Sequence, residues 1–154
     1  LSPRRCYRRS NARADFQHKL SRAIVDENQA VIVETLKSVN MMKNPNLARA
    51  IGDAGWHGFI TKLEYKAAEK GVHLVKLDHW FASSKICHCC GHKMPEMPLH
   101  KRIWQCPECG VEHDRDINAA INIKSKGILE LQAAGLVVSA HGDPRKSVIS
   151  TVAV

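Results

Sequence analysis

Four cysteines constrain this chain more than any other feature. Cys87 and Cys90 lie two residues apart and are followed by Gly91; Cys106 and Cys109 repeat the pattern before Gly110, and fifteen residues separate the two pairs. That is the spacing of a zinc ribbon. A tetrahedral closed-shell ion takes four thiolates, and two residues between cysteines let one tight turn aim both sulfurs at it. A glycine after each pair allows the chain to turn back with positive φ, so that backbone N–H groups approach the sulfurs. Cys89 offers a second partner in the first turn, but only Cys87 with Cys90 keeps both the two-residue gap and the following glycine. Cys87, Cys90, Cys106 and Cys109 are therefore the expected ligands, with Cys89 and Cys6 as spare thiols.

Two other uses of these cysteines compete with zinc. Disulfides need an oxidising compartment, and no apolar leader precedes the basic start, so an intracellular, cytoplasmic setting is expected. Four thiolates also bind iron, and Cys-Pro-Glu-Cys-Gly resembles a rubredoxin knuckle. A strongly basic chain is an unusual electron carrier, which favours Zn²⁺. The basicity itself is informative: 23 Lys and Arg against 15 Asp and Glu give a net charge of +8. That balance predicts an anionic partner, nucleic acid first. No apolar run is long enough to span a bilayer, and no membrane partner is expected. At 154 residues there is room for one ordinary core plus a small metal-stapled module.

Read in order, the chain divides into five parts. Residues 1–29 form a basic helical segment in which Arg4, Arg5, Arg8, Arg9, Arg13, Lys19 and Arg22 are candidate phosphate contacts. Phe16, Leu20 and Ile24 recur there at helical spacing and predict a helix over 12–27 with an apolar stripe. Residues 30–84 read as an α/β core. The β-branched run at 30–34 predicts a buried strand ending in Glu34, and 47–71 predicts a helix that breaks near Trp56, where Gly52, Gly55 and Gly58 cluster. A second strand at 72–77 closes a strand-helix-strand unit and so a parallel sheet. Residues 85–113 are the ribbon, in which Trp104 either pads a small core or stacks a base. Residues 114–133 predict a helix with Asp116 in its first turn, sharing a face with Ala119, Ala120 and Ile123; either Asp114 or Asp116 can serve as its cap. Residues 134–154 have no sustained period and are expected to be an irregular tail.

The order of motifs is more specific than any one of them. A strand ending in Glu34, then LKSVNMMKN, LARAIGDAGWHGF, SSK-x-C-x-x-C-G, CPECG and HDRDINAAINI, resembles the C-terminal half of OrfB-type transposases, the TnpB family encoded by insertion sequences, over about residues 12–127. The resemblance implies a partial ribonuclease H-like (RuvC-like) α/β fold with an inserted four-cysteine zinc ribbon. It implies an RNA-guided DNA endonuclease acting in transposition, with DNA and a guide RNA as partners in a bacterial or archaeal cell, associated with the nucleoid. By motif match Glu34 is the second catalytic carboxylate and Asp116 the third, holding Mg²⁺ or Mn²⁺. The family's first catalytic Asp, in a Gly-x-Asp-x-Gly-type motif, has no counterpart here; the acids before Glu34 are Asp15, Asp26 and Glu27, all within the helical pattern. A chain with two of three acids is expected to be inactive alone unless an N-terminal half is supplied in cis or in trans. The alternative is a non-enzymatic zinc-ribbon nucleic-acid-binding module.

Overall fold

The structure, a computed structural model, describes residues 3–98, 100–136 and 147–152. Its elements in chain order are α1 (Pro3–Glu27), β1 (Asn28–Glu34), α2 (Ser38–Met41), α3 (Pro45–Ala54), α4 (Trp56–Lys70), β2 (His73–Leu77), a 3₁₀ turn (Ser83–Lys85), β3 (Ile103–Gln105), β4 (Glu112–Asp114), α5 (Arg115–Ala133) and β5 (Ser147–Val152). They make a mixed α/β fold with two sheets.

The first sheet is built around β1. Its β-branched core residues favour extended backbone, and Ala30 to Val33 are buried throughout, as expected of a parallel strand covered on both faces. β2 pairs with it in parallel on one side and β5 in parallel on the other. The crossover from β1 to β2 runs through α2, α3 and α4. Asn44 caps α3 by accepting from Asn46 N at 3.0 Å, with Pro45 in the first turn. The predicted break falls at Gly55, whose φ of 63° ends α3 and opens α4, and Gly71 at 69° ends α4 where the sequence places the stop.

Strand alternation sorts the two faces. Val31 and Val33 pack with Val25 of α1 and Phe59, Leu63 and Ala67 of α4, while Ile32 packs with Leu77 and with Ile123 of α5. α5 comes very close to β1: a Cβ placed on Gly127 would overlap the Ile32 side chain. Glu34 has the same parity as Ala30 and Ile32, and the cavity it lines at the strand end is walled by Trp56, His57, Ile60 and Glu64 of α4.

Three expectations are corrected. The first helix begins at Pro3, well before residue 12. Its apolar stripe meets the core only at Ile24, which packs half-buried against it: Phe16 is 63% and Leu20 38% exposed, whereas Gln17, Ser21 and Val25 are buried. The reason is polar. Gln17 Nε2 donates to the carbonyls of Ala54 and Gly55 at 3.0 and 3.1 Å, satisfying the helix break, and Lys66 Nζ donates to Ser21 Oγ at 2.7 Å and to His18 O at 2.5 Å. Finally, the 134–154 tail is not irregular throughout, because β5 occupies the second edge of β1. An unpaired row of β1 N–H and C=O groups would be costly, and Val148, Ile149, Thr151 and Val152 suit an extended partner. Among the described residues no helix is long and apolar enough to cross a membrane.

Candidate metal centre and the sheet edge it adjoins

Each cysteine pair closes the same turn. Gly91 N donates to Cys87 O and Gly110 N to Cys106 O, both at 2.9 Å, and the glycines adopt φ of 77° and 73°. Cys87 N then donates to His92 O at 2.8 Å and Cys106 N to Val111 O at 2.9 Å. The second turn joins β3 to β4, which pair antiparallel, and the first is closed by an antiparallel bridge between Ile86 and Lys93. Cys87 Sγ lies 3.7 Å from Cys109 Sγ, and Cys90 Sγ 3.6 Å from Cys106 Sγ. Bonds of about 2.3 Å from a tetrahedral ion to sulfur imply S···S edges of about 3.8 Å. The four sulfurs, all within 4.8 Å of one another, therefore fit a single ion.

His113 comes close enough to suggest a different ligand set, with Cys87 and Cys89. Its Nε2 is 3.1 Å from Cys87 Sγ. Two ligands of one tetrahedral ion, a sulfur and a nitrogen, would stand about 3.6 Å apart. The shorter spacing fits an N–H donated to the sulfur of a ligand, the usual kind of outer contact around a metal site. Burial first, and the neighbouring His88 second, lower the pKa of His113 and keep its ring neutral. Trp104 is 2% exposed and packs against His113 at 4.8 Å between centroids, so it fills the ribbon core and is not available to a base.

The ribbon is clamped onto α5. Asn118 Oδ1 accepts from His88 N at 3.0 Å and its Nδ2 donates to Ile86 O at 2.7 Å. One turn on, Asn122 Nδ2 donates to Ser83 O and Ile86 O at 2.8 and 2.6 Å. Both asparagines are buried. Asp114 is the helix cap, accepting from Asp116 N and Ile117 N at 2.9 and 3.0 Å. Asp116 is thus released from capping, and its carboxylate takes a 2.6 Å ion pair from Arg102 of the ribbon.

Glu34 ends β1, half-buried, and burial raises its pKa above the ordinary carboxylate value. α5 runs antiparallel to the strands: Leu131 lies beside His73 and Leu74 at the start of β2, while Asn122 reaches Ser83 beyond its end. Asp116 and Glu34 therefore lie toward the same edge of the sheet. The cavity at the strand end is lined by Glu34, Ser38, Trp56, His57, Glu64 and Lys76 among others, and Asp116 is not one of them.

The basic segment is less free than its composition suggests. Arg13 pairs with Asp53, Lys19 with Asp15 and Arg22 with Glu69, while Arg8 and Arg9 are exposed. The side chains of Arg4, Arg5 and Cys6 lie outside the described residues. Sequence reading did not single out Arg102, His113, Asn118 or Asn122 as site residues. The paired asparagines, four apart in a helix that follows a metal knuckle, are the signal that was available.

Comparison with known proteins gives this geometry a family. Residues 56–123 match the model of the Cas12f1-like TNB domain. A Streptomyces pristinaespiralis protein named as an RNA-guided DNA endonuclease is 49% identical over 134 residues, 87% of this chain and 31% of that protein. The chain belongs to the TnpB family. A TnpB-like protein of Acanthamoeba polyphaga mimivirus is 26% identical over 132 residues, 81% of this chain and 25% of that one. The CRISPR-associated endodeoxyribonuclease Cas12f1 of Sulfoacidibacillus thermotolerans is 29% identical over 131 residues, 82% of this chain and 30% of that one. A chain in the cryo-EM structure of a Cas12f1–sgRNA–target DNA complex shares the fold, with a TM-score of 0.59 at 22% identity, over 77% of this chain and 35% of that one. The chain spans about a third of the length of the curated relatives it matches.

Proposed function

We propose that this TnpB-family chain is the nuclease-core portion of an RNA-guided DNA endonuclease acting in transposition, with a ribonuclease H-like (RuvC-like) core carrying an inserted four-cysteine zinc ribbon. The observation that supports it is the placement of Glu34, at the carboxyl end of the central parallel strand, and Asp116, in the first turn of the helix covering that strand, toward the same edge of the sheet. Catalytic groups of α/β sheets collect at that edge. The strand-end carboxylate is held in a partly desolvated place, which is the state expected of a group that waits for a cation.

Glu34 and Asp116 would hold Mg²⁺ or Mn²⁺, which when bound activates the attacking water and stabilises the leaving oxygen of a phosphodiester. Asp116 must first exchange Arg102 for the cation. Two carboxylates do not by themselves hold a pair of ions about 4 Å apart. A further carboxylate, in cis or from another chain, completes the site. Cys87, Cys90, Cys106 and Cys109 would hold a structural Zn²⁺, which staples a ribbon whose strands are only three residues each. The exposed Arg8 and Arg9 would meet phosphates of the DNA or of the guide RNA, in a cytoplasmic, nucleoid-associated protein.

A non-enzymatic zinc-ribbon nucleic-acid-binding module is favoured by one observation, the neutralisation of Asp116 by Arg102. Cleavage of labelled DNA separates the two. The 154-residue chain with Mg²⁺ or Mn²⁺ is expected to cut no better than its Glu34→Gln and Asp116→Asn variants. Joined to the upstream part of the Streptomyces relative and supplied with that protein's guide RNA, it is expected to cut, and both variants are expected to abolish cutting. Failure of the joined protein to cut would support the module. Metal-dependent cutting by the chain alone, lost in both variants, would show that no further carboxylate is needed.

A further inference from the structure

Beside the Glu34 edge the chain displays a tryptophan to solvent. Trp80 is 80% exposed, the highest value among the exposed large hydrophobic side chains of the described residues. The turn that carries it is ordered. Asp78 Oδ1 accepts from Trp80 N at 2.8 Å, Phe81 N donates to Asp78 O at 3.1 Å, and Ser83 N donates to Phe81 O at 2.8 Å. Phe81 packs inward against the Ile32, Leu77 and Ile123 cluster. Of two adjacent aromatic residues, one is anchored in the core and the other is held out. An Asx turn and a half-buried neighbour packed on the core favour that division, so exposure of the indole follows from the turn.

A cation accompanies the ring. Lys37, three residues beyond β1, places Nζ 5.3 Å from the Trp80 ring centroid. Thr35 N donates to Leu77 O at 3.0 Å and extends the β1–β2 pairing past the strand ends, so the loops bearing Lys37 and Trp80 leave the sheet side by side. His79 packs on the ring at 4.5 Å between centroids. An exposed aromatic face with an ammonium beside it is the combination that single-stranded nucleic acid requires, a base on the ring and a phosphate on the cation. Bases within a duplex are already stacked on both sides and cannot use it.

We propose that Trp80 and Lys37 form a stacking site for an unpaired base of single-stranded DNA, guiding that strand along the sheet edge that bears Glu34. The proposal rests on the nucleic-acid reading above. It assigns Trp80 the base and Lys37 the adjoining phosphate, without sequence preference.

The test is binding of a labelled oligothymidylate, and of a duplex of matched length, to the full chain. Trp80→Ala is expected to weaken single-strand binding by roughly tenfold, the size of one aromatic–base stack, and to leave duplex binding unchanged. Trp80→Phe is expected to keep most of the affinity, and Lys37→Ala to reduce the slope of log affinity against log salt by about 1. Because Trp80 is exposed, its variants should melt with the wild-type chain. Equal single-strand affinity of Trp80→Ala and wild type would overturn this inference while leaving the nucleic-acid reading intact. So would an equal loss on single strand and duplex, or a change in oligomeric state with no change in DNA affinity, which would make the ring a protein contact. If the wild-type chain binds neither DNA, the nucleic-acid reading fails and this site with it.

Discussion

Glu34 is where residue-scale chemistry runs against stability. Burial raises its pKa above 4.5, so the folded state holds a proton that the unfolded chain has released. Stability therefore falls as pH rises from the unfolded value through the folded one, and at neutral pH the buried charge opposes folding. Glu34→Gln is expected to raise the melting temperature at pH 7, with the advantage over wild type shrinking as the pH is lowered toward the ordinary carboxylate value. Thermal denaturation of both proteins across that range checks it. An unchanged difference from acid to neutral pH would mean that the Glu34 charge is not what the fold tolerates. A group held against stability is a candidate for function, and Asp116 is the contrast. It stands in solvent with Arg102 as partner, an exposed pair of the sort worth about 1 kcal/mol or less.

At the scale of elements, the junction of ribbon and α5 carries the most consequence. Asn118 and Asn122 satisfy the backbone of residues 83–88 from one helix face, and the same helix carries Asp116 in its first turn, two residues before Asn118. Alanine at either position removes an amide and leaves buried backbone groups unpaired, at a cost of about 1–3 kcal/mol. The double variant Asn118→Ala, Asn122→Ala is expected to melt earlier and to release its metal to a competing chelator at a lower concentration than wild type. Metal affinity equal to wild type in a folded double variant would show that the knuckle holds its shape without the helix. Gly127 serves the other end of α5, where only the absence of a Cβ lets the helix close on Ile32.

Across the molecule the described residues form three cores: one between α1, α4 and the sheet, one between α5 and the sheet, and the small ribbon core of Cys87, Trp104 and Cys106 with Met94 and Met97. A core this small is expected to need a bound ion to stand. Chelation is expected to expose Trp104, seen as a red shift of its emission, while the parallel sheet persists, so that melting becomes a two-step process. The bound metal is expected at one Zn²⁺ per chain, lost in Cys87→Ser and kept in Cys89→Ser, by elemental analysis of the purified variants. Retention in Cys87→Ser with loss in Cys89→Ser would reverse the ligand assignment.

Local rules made much of this legible in advance. Cysteine spacing picks out four sulfurs because a knuckle is a short-range turn, and the structure brings those four together. Strand β1, the break at Gly55 and the stop at Gly71 follow from branching and from glycine's freedom, which also act over a few residues. What the sequence could not determine is set by long-range pairing. Whether Phe16 or Gln17 faces α4 depends on carbonyls freed nearly forty residues away at the helix break. Residues 147–152 become a strand because β1 has an edge to satisfy, a requirement that their β-branched residues suit but do not announce. The cap at the start of α5 is Asp114, and the partner of Asp116 is Arg102, because β3 and β4 bring those residues together. Hydrophobic periodicity reports which side chains avoid water, but only the assembled fold decides which polar groups must find each other.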